Sequence, residues 1–104
     1  MKPSPSVLLL ALVAVEDAVV CPLDEDFDTF GQWKLDVGGG CPPEARQGDY
    51  VNVITKGQVN DFVPADHVGE TLPRVVGTLR PVNAAGDFNV WILYPRSIDD
   101  IGLP

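Results

Sequence analysis

Apolar and polar positions alternate along most of this chain with a period of two, the spacing of a half-buried β-strand. Gln32-Trp33-Lys34-Leu35-Asp36-Val37 alternates and predicts a first strand. Tyr50-Val51-Asn52-Val53-Ile54-Thr55 is rich in β-branched residues and predicts a second. Lys56-Gly57 then reads as a turn, with Gln58–Val63 returning as a hairpin partner. Arg74–Arg80 predicts another strand, kinked or bulged at Gly77. After a turn at Asn83–Asp87, the segment Phe88–Tyr94 is strongly apolar, with Phe88, Val90, Ile92 and Tyr94 on one face. Ten Gly and ten Pro cut the chain into short pieces and leave no room for a long helix.

One segment departs from this pattern. Val7–Val15 is a continuous apolar run behind Lys2, which is the layout of a secretory leader. It is too short for a bilayer-crossing helix, which takes about 20 apolar residues. Cleavage near Ala18 would leave residues 19–104 as one small domain, with no stable membrane insertion. Glu16 and Asp17 break the rule that small residues precede the cut.

Charge removes one class of partner. The net charge is −8 and no basic stripe is visible, so nucleic-acid binding is not expected. The two cysteines, Cys21 and Cys41, suit an oxidising compartment. Two outcomes stay open on arithmetic alone: a Cys21–Cys41 bridge, worth about 3 kcal/mol through loop closure, or pairing with thiols outside this chain.

Little here points to chemistry. Serine occurs only at Ser4, Ser6 and Ser97, and the lone His67 has no Cys or Ser near it in sequence. No nucleophilic constellation, cofactor motif or zinc spacing is present, so an enzyme is not expected. Asp24, Glu25, Asp26 and Asp28 cluster without the spacing of a calcium loop and read as a solvated acidic turn.

A family resemblance joins these pieces. Cys21-Pro22, the Phe27-Asp28 pair, the aromatic Phe30 and then Gly31-Gln32-Trp33, directly behind a leader-like segment, resemble the opening of a lipocalin. Val75–Asn83 followed by an apolar strand, and Gly40-Cys41 followed by the Tyr50 strand, look like the apolipoprotein D-like subgroup. The matches span about residues 21–95. Departures exist: Lys34 follows Trp33 where an aromatic is usual, and Gly38-Gly39-Gly40 replaces a long first loop.

The resemblance implies an all-β fold, a lipocalin-like antiparallel up-and-down barrel. Such a barrel has eight strands, whereas five or six are countable here. The expectation is therefore an incomplete or open barrel, a truncated N-terminal portion of the family's domain. In that subgroup the equivalent cysteines bridge to later positions. None exist here, so Cys21 and Cys41 are expected to bridge each other.

The implied function is secreted binding or transport of a small hydrophobic ligand (a lipid, retinoid, sterol, bilin or carotenoid). Tyr50, Phe62, Phe88, Val90 and Ile92 would form its wall, and Gly31 and Trp33 would serve structural roles at the barrel base. The rival reading is a small secreted interaction or inhibitor-like domain without a pocket, acting through its sheet edge. Exposed edges also allow homo-oligomers by strand pairing.

Overall fold

In the computed structural model, residues 12–38, 40–42, 50–83 and 89–104 are described. Among these residues, six strands and one short helix run in the order β1 (Leu12–Val20), α1 (Glu25–Phe30), β2 (Gln32–Asp36), β3 (Val51–Ile54), β4 (Thr71–Asn83), β5 (Asn89–Tyr94) and β6 (Ile101–Gly102). Single 3-10 turns at Pro64–His67 and Ile98–Asp100 precede β4 and β6.

The strands close on themselves. Their order is β1-β2-β3-β5-β4-β6, and β1 also pairs with β4, so β1 to β5 form a closed five-stranded barrel. Every pairing is antiparallel except β3 with β5, which is parallel through Asn52↔Ile92 and Val53↔Leu93. This corrects the expected fold: the β-barrel is present, but it is mixed and closed rather than antiparallel up-and-down and open. Fold alone assigns no function.

Closure depends on β1. Its first part pairs with β4 from Leu12↔Thr78 to Val19↔Thr71, and its last two residues pair with β2 at Val19↔Asp36 and Val20↔Leu35. Asp17 adopts φ 53°, a left-handed conformation that is uncommon outside glycine. That residue reverses the alternation. Val13 and Val15 before it, and Ala18 and Val20 after it, all pack in or against the core. The segment read from sequence as the second half of a leader thus coincides with this strand.

Two further expectations change. Gln58–Val63 is not a hairpin strand: Thr55 O accepts from the N–H groups of Gln58 and Val59 at 3.1 and 2.8 Å, and the chain turns there. Gly77 is not a bulge, since it pairs regularly with Val13. Glycine is needed there for another reason. A Cβ on Gly77 would lie 2.7 Å from Tyr94 C and 2.8 Å from Pro95 N, where the end of β5 passes close by. The expected turn at Asn83–Asp87 lies mostly outside the described residues, as does Phe88.

The barrel is filled. Trp33, Leu35, Val53, Leu72, Val75 and Leu93 meet inside it with essentially no solvent exposure. Five strands enclose less than the eight that just hold side chains or one small ligand, so side chains occupy this interior. The disulfide forms as expected, with Cys21 and Cys41 5.6 Å apart at Cα. It ties the segment after β1 to the turn after β2. Asp36 fixes that turn by accepting from the N–H groups of Gly38, Gly40 and Cys41.

Candidate functional site

A cleft of about 420 Å³ opens at one end of the barrel, between α1 and the turn that follows β3. Its apolar lining comes from Phe27, Val59, Phe62, Val63 and Pro64, and its polar lining from Asp28, Thr55, Lys56 and Asn60. Such a volume falls in the range of small-molecule sites, roughly 300–1,000 Å³.

Local sequence builds each wall. Asp24 caps α1 by accepting the Asp26 N–H at 3.0 Å, and Glu25, Asp26 and Asp28 sit in the first turn, where the helix end favours negative charge. The acidic cluster is thus the start of a helix rather than a turn. Gly31 ends the helix at φ 73°, a left-handed position suited to glycine, and its N–H bonds to Phe27 O. Phe27 thereby leans on the core while it lines the cleft.

Lys34 holds the helix against β2. Its ammonium lies 3.0 Å from Asp24 and 2.9 Å from Asp26, with only 9 % of the side chain exposed. Burial, the largest single influence, pulls its pKa down, but the bonds to Asp26 and Asp24 together outweigh that and raise it above the ordinary value.

The floor of the cleft is aromatic. Phe62 lies between Trp33, at a ring distance of 5.2 Å, and His67, which stacks on it at 4.8 Å. Trp33 donates from Nε1 to Thr55 Oγ1 at 3.2 Å. His67 is half-buried, and its Nδ1 lies 2.9 Å from Glu70 Oε1.

Of the four described residues expected to form the ligand wall, Phe62 alone lines this cleft, and Phe88 lies outside the described residues. Tyr50 is half-buried, and its hydroxyl donates to Pro42 O at 2.8 Å. Val90 and Ile92 share a face of β5, but the inward residue of that strand is Leu93. Ile92 is buried outside the core cluster, in register with Asn52 on β3 and Arg80 on β4. Gly31 lines the cleft, and Trp33 meets two of its lining residues, Phe62 and Thr55. Most of the lining escaped sequence reasoning. One signal for it exists: Val59, Phe62 and Val63 are spaced i, i+3, i+4, which marks one face of a turn of helix rather than a strand.

Among the described residues no group of three or more His, Cys, Asp and Glu is placed to hold a metal ion. The arrangement in the cleft suits non-covalent binding: an apolar floor, one hydroxyl, one amide and one charge of each sign at the rim. The chain matches no protein-family model, no curated protein and no solved structure.

Proposed function

We propose that this protein is a non-catalytic binder of a small hydrophobic molecule. The ligand lies in the cleft at the barrel end and not inside the barrel. The observation that carries this reading is the pairing of a filled interior with an apolar cleft walled by Phe27, Phe62, Val63 and Pro64. The Cys21–Cys41 bridge is in keeping with a secreted setting. Binding is driven by removing apolar surface from water, at roughly 25 cal/mol per Å². The cleft is open, so part of any ligand stays wet and affinity is micromolar or weaker.

Titration with the neutral fluorescent probe N-phenyl-1-naphthylamine tests this. Saturable binding is expected, and Val63→Asp should abolish it with little effect on unfolding, because Val63 is about half exposed. Equal binding by Val63→Asp would place the ligand elsewhere.

A second reading has its own observation. Among the described residues, the side of β1 away from β4 is paired with β2 only at Val19 and Val20, which leaves Leu12–Asp17 as an edge with Leu12 52 % exposed. Such an edge accepts a strand from a second copy or another chain. Concentration-dependent dimerisation, lost in Leu12→Lys, would favour this reading.

A further inference from the structure

We propose that the cleft selects apolar molecules bearing a single carboxylate, and that Lys56 reads that charge. The inference rests on the binding role given above and names its ligand class.

The cation is placed by the fold. Gly31, held left-handed at the end of α1, has no Cβ, and one built there would lie 3.1 Å from both Cβ and Cδ of Lys56. The lysine stem therefore lies across the glycine, at the edge of the cleft that both residues line. A stem packed in this way covers apolar surface while the exposed residue keeps its ammonium in water at the rim.

Lys56 is also unspent. Lys34 is committed to Asp24 and Asp26, Arg96 to Asp100, and Arg80 lies over the Tyr94 ring at 5.0 Å. Among the described residues Lys56 has no ion pair, although the chain carries a net charge of −8. Its availability in so acidic a molecule makes it the attractive point for an anion at this end of the barrel.

Asp28 sharpens the selection. It lines the same cleft and repels a second negative charge on the ligand. The fitting molecule therefore has an apolar body against Phe27 and Phe62, and one carboxylate directed to Lys56. A dicarboxylate would meet Asp28 and so binds less well.

The test compares naphthalene-2-carboxylate with neutral 2-naphthalenemethanol, which share one ring system. Trp91→Phe leaves Trp33 as the single tryptophan, and its indole N–H, beside Phe62 and Thr55, reports binding by NMR chemical shift. The carboxylate should bind about three- to fivefold tighter at low salt, the scale of a partly exposed ion pair. About 1 M salt should remove most of that preference. Lys56→Gln should erase it, bringing the affinities of the carboxylate and the alcohol together. Equal affinities for the two molecules, or a preference that survives Lys56→Gln, would overturn the charge reading and leave the cleft standing. If neither molecule binds, the cleft reading falls as well.

Discussion

Trp33 joins sequence, packing and site more directly than any other residue. Its ring fills the barrel end at 1 % exposure, its face meets Phe62, and its indole N–H is satisfied by Thr55. Trp33→Ala should destabilise the fold by about 3–5 kcal/mol, the usual result of emptying a large aromatic site. Trp33→Phe should lose only about 1–2 kcal/mol, mainly the bond to the buried Thr55 hydroxyl; urea unfolding of both variants checks the difference. Gly77→Ala tests a close approach instead. The added methyl meets the Tyr94–Pro95 backbone rather than a flexible side chain, so a loss of about 1–3 kcal/mol is expected. Residues such as Trp33 were legible because size and apolarity decide burial. Lys56 was not, because a lysine beside a glycine reads as a turn wherever its stem finally lies.

At the scale of elements, alternation located β2, β3, β5 and most of β4, since each strand has one face on the core. It failed at β1. An apolar run such as Val7–Val15 looks the same whether a membrane machinery or a barrel receives it, and the inversion at Asp17 hides the period of two. It failed again at Gln58–Val63, where apolar residues at helical spacing serve a turn. The α1–β2 contact offers a pH prediction with a definite sign. The folded-state pKa of Lys34 is raised, so its contribution is complete below the ordinary value of 10.5 and disappears as pH climbs through the higher folded value. Asp100 behaves oppositely. Hydrogen bonds from Arg96 hold its carboxyl below the ordinary 3.8, so its contribution is present above that pH and is lost as acid titrates the folded form. Lys34→Met should therefore change stability at neutral pH and flatten the alkaline limb of a stability–pH profile, whereas Asp100→Asn should flatten the acid limb.

The whole molecule depends on circular closure, which no local pattern specifies. A strand count of five or six suggested an open sheet only while eight strands were assumed. The parallel β3–β5 pair and the double pairing of β1 close a smaller ring. Long-range pairing of this kind is set by which inward faces fit together, so it was not legible from alternation. Its energetic centre is β1. Removing residues 1–18 would strip β4 of its partner from Thr78 to Leu72 and leave only Val19 and Val20 beside β2. Leu72 and Val75, both fully buried, would then face water along the open seam. A chain starting at Val19 should lose cooperative thermal unfolding and its near-UV circular dichroism, with the Cys21–Cys41 bridge still formed. A synthetic peptide spanning residues 10–20 should restore both signals by returning the strand. A chain from Val19 that unfolds as cooperatively as the full one would show that the barrel closes without β1, and that cleavage near Ala18 leaves a stable domain.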